Sequence, residues 1–173
     1  ETPEIEIFEN GNLLKAHKGG KAKTDKNIEI IADKFEYNKI TTILIANDNV
    51  IATDSLNKTT IKAEEITFNK TTSELIAKRN VEVIDGLKEV IINENKIIYL
   101  INEKKIFTED KTNVVVENKY HINSSDLIYQ KNEMLISSEK HTTLIDDENN
   151  FYTVESFNYL ITDEIFRGKK INL

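Results

Sequence analysis

The chain has no cysteine, one proline and five glycines in 173 residues. Without thiols there is no disulfide framework, no thiol nucleophile and no thiolate metal ligand. With so little proline and glycine there is no flexible linker at which to divide the chain, so residues 1–173 read as one domain. There is also no glycine-rich phosphate loop. No apolar run approaches the roughly 18 residues that a membrane helix needs. The chain opens on Glu1-Thr2-Pro3-Glu4 without a signal-peptide pattern, which leads us to expect a cytosolic protein or a trimmed exported one. A net charge of −7 argues against an electrostatic grip on nucleic acid. His17, His121 and His141 are scattered, and no serine sits in a Gly-x-Ser-x-Gly elbow. Asp146-Asp147-Glu148 lacks the alternation of a calcium loop. The expectation is no catalytic residue, no metal and no cofactor, hence not an enzyme.

A repeat is what the chain does have. Tyr37, Phe68, Tyr99, Tyr129 and Tyr159 stand 31, 31, 30 and 30 residues apart. Two positions before them lie Phe35, Ile66, Ile97, Leu127 and Phe157. Seven after lie Leu44, Leu75, Ile106, Ile136 and Phe166; seven before lie Ile30, Ile61, Ile92, Ile122 and Tyr152. A fixed period of this size marks a unit that buries its apolar face by stacking on copies of itself.

Within each copy the alternation has period two and the patterned positions hold Ile, Val, Thr, Tyr and Phe, which is strand chemistry. Glu64-Glu65 and Glu94-Asn95-Lys96 could open helices, but the columns overrule them. An odd step from Ala32 to Phe35, repeated from Ala63 to Ile66, predicts a β-bulge or bend in a long strand. Asn47-Asp48-Asn49 and Lys78-Arg79-Asn80 read as tight hairpin turns, giving about three short strands per repeat. Residues 28–173 make five repeats. Residues 1–27 read as a divergent first repeat or cap, with a hairpin at Asn10-Gly11-Asn12 and a lysine-rich stretch from Lys15 to Lys26.

Ile30-Ile31-Ala32-Asp33-Lys34-Phe35-Glu36-Tyr37-Asn38, then Leu44-Ile45-Ala46-Asn47-Asp48-Asn49-Val50, resembles a repeat of the OstA-like family. Ile61-Lys62-Ala63-Glu64, Ile66-Thr67-Phe68-Asn69 and Leu75-Ile76-Ala77 carry the pattern on, and the resemblance spans roughly residues 28–170. The family's turn glycine is replaced by Asp48 in one copy and Arg79 in the next. The family comprises periplasmic lipopolysaccharide-transport proteins and the N-terminal domain of the outer-membrane lipopolysaccharide-assembly protein.

The resemblance implies an all-β, elongated antiparallel β-jellyroll of two sheets facing each other in a V. It implies lipopolysaccharide as cargo, its acyl chains against an apolar groove lined by Ile30, Phe35, Tyr37, Leu44, Ile61, Ile66, Phe68, Leu75, Ile92, Ile97, Tyr99, Ile106, Ile122, Leu127, Tyr129, Ile136, Phe157, Tyr159 and Phe166. It also implies a Gram-negative periplasm, association with the outer membrane, and head-to-tail joining to other jellyroll proteins of lipopolysaccharide transport. Ile5, Ile7 and Phe8 at one end and Ile165 and Ile171 at the other are the expected edge-pairing residues. The expected family member is the assembly protein's N-terminal domain, cut from its outer-membrane barrel, with the soluble bridge protein as alternative. The rival from another class is a structural β-solenoid or filament whose columns form a dry core. The Lys15–Lys26 stretch could meet lipid phosphates or be a solvated loop.

Overall fold

The computed structural model describes residues 1–173, and every strand pairing in it is antiparallel. The first strands are short: β1 (Glu6–Phe8), β2 (Leu13–Ala16), β3 (Gly20–Lys23), β4 (Ile28–Ala32) and β5 (Lys34–Asn38). Four long ones follow, β6 (Ile43–Asp54), β7 (Thr59–Asn69), β8 (Glu74–Asp85) and β9 (Val90–Leu100), of 12, 11, 12 and 11 residues. The rest are short again: β10 (Lys105–Thr108), β11 (Thr112–Val116), β12 (Tyr120–Ser124), β13 (Ile128–Gln130), β14 (Leu135–Ser138), β15 (Thr142–Ile145), β16 (Phe151–Val154), β17 (Ser156–Leu160) and β18 (Ile165–Lys169). There is no α-helix, and a single 3-10 turn, Glu9–Gly11, joins β1 to β2.

The two expected sheets are two walls of one folded sheet. One wall runs β1-β2-β5, through one half of each long strand, then β10-β13-β14-β17-β18. The other runs β3-β4, through the opposite halves, then β11-β12-β15-β16. The long strands cross from wall to wall at a corner. There the register slips at Asn47/Val50 and Lys78/Val81, where two residues face one, and at Lys62/Glu65, where two residues of β7 face three of β8. Extra residues of this kind bend a strand and increase its twist.

One expectation is therefore corrected. Asp48-Asn49 and Arg79-Asn80 are not hairpin turns but corner bulges inside continuous strands, with φ of 65°, 51°, 65° and 52°. Turns and bulges both demand left-handed backbone, so Asn and Asp signal either one. Side chains hold the corner. Asn49 donates to Asp33 (2.7 Å) and Lys34 to Asp48 (2.7 Å), while Arg79 reaches both Glu64 (3.3 Å) and Glu65 (3.1 Å). Those partners account for an arginine where the family favours glycine. The true hairpin turns lie at the outer lips of the two walls. Most have four residues and end on a left-handed one, such as Thr42, Lys58, Ser73, Glu89 and Lys104, while the turn from β11 to β12 has three residues and that from β15 to β16 has five.

Candidate functional site

The sequence columns become rows across the strands. Near the lip of the first wall, Tyr37, Leu44, Phe68, Leu75, Tyr99, Ile106, Tyr129, Ile136, Tyr159 and Phe166 are consecutive register partners. The residues seven apart in sequence are thus neighbours in one row, on alternate strands. Phe35, Ile66, Ile97, Leu127 and Phe157 lie toward the corner, and Ile30, Ile61, Ile92 and Ile122 run along the second wall. All face the interior, because alternate residues of a strand share a face.

The interior is not uniform. In the middle it is closed: Ile66, Leu75, Ile97, Ile106, Tyr129 and Ile136 are all 0% exposed apart from rounding. At the N-terminal end Phe35, Tyr37 and Leu44 are only half-buried. They line a cavity of about 430 Å³ together with Leu14, Ala16, Ala22, Thr24 and Phe68, and with Lys15, Lys21, Lys23 and Lys70 at its mouth. Glu1 and Asp25 also border it. Lys15 pairs with Glu36 and Lys21 with Glu29, each at 2.9 Å, whereas Lys23 and Lys70 make no ion pair. The opposite end is filled by aromatic rings. Phe157 stacks on Phe166 at 5.2 Å, Tyr120 meets Tyr159 edge-on at 5.5 Å, and only about 40 Å³ is left between them.

Polar bonds across the mouth of the V hold the middle closed. The Tyr99 hydroxyl donates to buried Asp54 at the opposite lip (2.9 Å), and the Tyr129 hydroxyl donates to buried Asp85 (2.7 Å). The Lys131 ammonium, also buried, bonds the same Asp85 carboxylate and lies 5.6 Å from the Tyr129 ring. Burial pushes both phenols far above their ordinary value, and the neighbouring carboxylates push the same way. Burial also holds the Lys131 ammonium below the usual lysine range, opposed by Asp85. A buried carboxylate is tolerable only with such donors.

These latches have fixed places. Along the second lip, Ile28, Asp54, Thr59, Asp85, Val90 and Val116 are successive register partners. Thr24, whose N–H bonds the Ile28 carbonyl at 2.9 Å, begins the row. The places facing Phe68, Tyr99, Tyr129 and Tyr159 are thus Thr24, Asp54, Asp85 and Val116. At the first, both latch partners are missing and the cavity opens. At the last the acid is missing, and the buried Tyr159 hydroxyl has no partner. The sequence reading missed Asp54, Asp85 and Lys131. Their signal was an aspartate repeated at 31 residues, each ahead of a column tyrosine by 45 or 44.

The expected edge residues lie at the two ends. β1 pairs only with β2, leaving its outer edge free, and Ile5, Ile7 and Phe8 are exposed. Ile7 is the register partner of Leu14, and Leu14 of Tyr37, so the inner row runs out onto that edge. At the far end β18 pairs with β17 and carries exposed Ile165. Ile171 lies beyond β18. Its neighbour Asn172 exchanges bonds of 2.9 and 3.0 Å with Thr153, so this segment pairs with the edge of β16 within the chain.

A sheet folded into two walls around an apolar interior, not closed as a barrel, is the architecture of the LptA-like β-jellyroll. Among the solved structures it resembles is that of LptH, the LptA homologous periplasmic component of the conserved lipopolysaccharide transport device from Pseudomonas aeruginosa. The TM-score is 0.58 at 12% identity, over 66% of this chain and 82% of that one. At that identity the likeness establishes the fold alone. No family model matches the chain, and no curated protein matches it.

Proposed function

We propose that the chain is a periplasmic component of lipopolysaccharide transport, of the OstA-like family, which binds acyl chains in its apolar interior and joins other jellyrolls end to end in a protein bridge. The observation that carries this is an apolar interior, in the fold of LptH, that opens at one end onto lysines in a chain of net charge −7. An acyl chain entering it gains about 0.8 kcal/mol per buried methylene, and no covalent chemistry is required. The free edge of β1, with apolar Ile5, Ile7 and Phe8 beside it, suits strand addition from another jellyroll, and β18 is the complementary end. The likeness to a periplasmic component favours a stand-alone bridge over the N-terminal domain of the barrel-bearing assembly protein, and both readings keep the same cargo.

The test is a photoreactive residue at Tyr37, where the interior is open. Irradiation with lipopolysaccharide should yield a covalent adduct, and a folded protein that gives none would rule the cargo out. A second reading, a structural repeat protein with a dry core, draws on the closed middle of the interior. It predicts no adduct and end-to-end polymers of this chain alone.

A further inference from the structure

We infer that the N-terminal half of the rim docks on an anionic lipid bilayer, with Ile40, Leu56 and Leu87 seated in the interface and Lys26, Lys39, Lys58 and Lys70 against the head groups. The contact uses the outside of the molecule and does not depend on what the interior holds. Because the lips meet through Tyr99–Asp54 and Tyr129–Asp85, the turn tips of both walls share one edge of the molecule, opposite the corner. In the turns 39–42, 55–58 and 86–89 the second position holds Ile40, Leu56 and Leu87, which are 71%, 74% and 45% exposed. The same position holds Asn102, Asn132 and Thr162 in turns nearer the C-terminus, so the turn itself needs no aliphatic there. The turn residues that do pack inward, Ile101 and Ile161, stand one position earlier and are buried. Single exposed aliphatics are ordinary on a protein surface, but three at one turn position, all in one half of a rim, are not a scatter.

The charges divide along the same line. The turns 24–27, 39–42, 55–58 and 70–73 carry Lys26, Lys39, Lys58 and Lys70, with Asp25 as their one acid. None of these four lysines makes an ion pair, whereas Lys34, Lys62, Lys78 and Lys96 on the wall faces all do. The turns 86–89 and 101–104 each hold one lysine and one glutamate. Beyond them the turns carry Glu117, Glu133, Asp146, Asp147, Glu148 and Asp163, and their lysines, Lys119 and Lys131, are paired with Glu164 and Asp85. Unpaired lysines around exposed aliphatic tips fit an anionic bilayer, which attracts the one and admits the other at its head-group boundary. The net charge of −7 does not oppose the contact, because screening confines each charge to neighbours within about 8–10 Å and the acidic turns lie several strands away.

The probes are vesicles of phosphatidylcholine alone and of phosphatidylcholine with about 30% phosphatidylglycerol, free of lipopolysaccharide, in a sedimentation assay with the full chain. The chain should sediment with the anionic vesicles and at least about tenfold less with the neutral ones, and raising the salt should release it. Lys39→Gln and Lys58→Gln should each weaken binding about fivefold. Ile40→Ser/Leu56→Ser should weaken it about tenfold at unchanged charge. All four positions are exposed turn residues, so the variants keep the fold. The chain has no tryptophan, so Leu56→Trp and Thr162→Trp place one reporter on each half of the rim. On anionic vesicles the fluorescence of the first should shift to the blue and that of the second should stay. Equal binding to both vesicles, lysine variants that bind as tightly as the parent, or a shift at position 162 and none at 56 would each overturn the inference. Binding to neither vesicle would overturn it too, and would leave the basic turns to an acidic protein surface.

Discussion

In the middle of the molecule the lips meet through Tyr99–Asp54 and through Tyr129, Asp85 and Lys131; in the first repeat the same two places hold Phe68 and Thr24, and the interior stands open. The apolar rows are equally apolar in both regions, so hydrophobicity does not decide which part closes. Hydrophobic burial is non-directional and would favour closing both. A buried carboxylate, by contrast, is tolerable only with its donors in place, which fixes the separation of the two lips. A closed length of this jellyroll is reached in two ways: by a polar pair across the rim in the middle, and by packed aromatic rings at the C-terminal end, where Val116 stands in the place of the acid.

The largest effect should come from breaking the densest latch. Asp85→Ala leaves the Lys131 ammonium buried without its counter-charge and the Tyr129 hydroxyl without its acceptor, and should cost about 3–5 kcal/mol in denaturant unfolding. Lys131 stands two positions after Tyr129, where Ile101 follows Tyr99 and Ile161 follows Tyr159. The double substitution Asp85→Ala/Lys131→Ile should therefore cost less than Asp85→Ala alone. If the double variant is the less stable of the two, the latch is not a self-contained unit.

A sharper comparison sets one tyrosine against another. Tyr99→Phe removes a hydrogen bond to a buried carboxylate and should cost about 1.5–3 kcal/mol. Tyr159→Phe removes a hydroxyl that has no partner, so its stability should be unchanged or slightly raised. Equal losses at the two sites would mean that the bond across the lips contributes nothing beyond the packing of the ring.

Much of this fold was legible because an inward-facing position in a stacked sheet recurs at constant spacing. Leu44, Leu75, Ile106 and Ile136 had to repeat if their strands were to share one interior. The corner was half legible. The parity step from Ala63 to Ile66 marked the bend correctly, yet Asp48-Asn49 on the neighbouring strand, which makes the same bend, was read as a hairpin. The reason is that bulge and turn use the same left-handed residues. The latches were not read at all. Asp54 and Asp85 each begin a lip turn, where their carboxylates also accept the N–H of Asn57 and of Leu87. Turn-starting aspartates of this kind are ordinary, and the partners that make these two special lie more than forty residues downstream.

The latches should also give the molecule an alkaline limit. The phenols of Tyr99, Tyr129 and Tyr159 are all raised by burial, so the folded state holds protons that the unfolded chain gives up near pH 10. Their contribution is complete below pH ~10 and falls above it by up to about 1.4 kcal/mol per pH unit for each tyrosine. Lys131, lowered by burial, acts with the opposite sign, and its penalty fades as pH rises toward the ordinary lysine value. Circular dichroism between pH 9 and 12 should show unfolding that Tyr159→Phe moves to higher pH, since this substitution removes a raised phenol without breaking a bond. An unmoved transition would mean that the Tyr159 phenol ionises in the folded state.

The smallest change in stability, and the most direct trial of the comparison, comes from installing a latch where there is none. Thr24 and Phe68 occupy the latch places and both border the open cavity. Phe68→Tyr alone adds a hydroxyl with no acid opposite to a ring that is 3% exposed, and should cost up to about 1 kcal/mol. Thr24→Asp alone places a carboxylate near Lys23, an exposed pairing worth about 0–1 kcal/mol. The two together should be more stable than the sum of the singles by about 1 kcal/mol, the coupling of one new hydrogen bond measured by a double-mutant cycle. The first repeat should then resemble the middle ones, with Tyr37 and Leu44 withdrawn from solvent and a photoreactive group at Tyr37 losing its lipopolysaccharide adduct. A double variant that shows the coupling yet still gives the adduct would mean that rim bonding and access to the interior are separate properties. Zero coupling would place the cause of the open end in the divergent residues 1–27 and not in the missing pair.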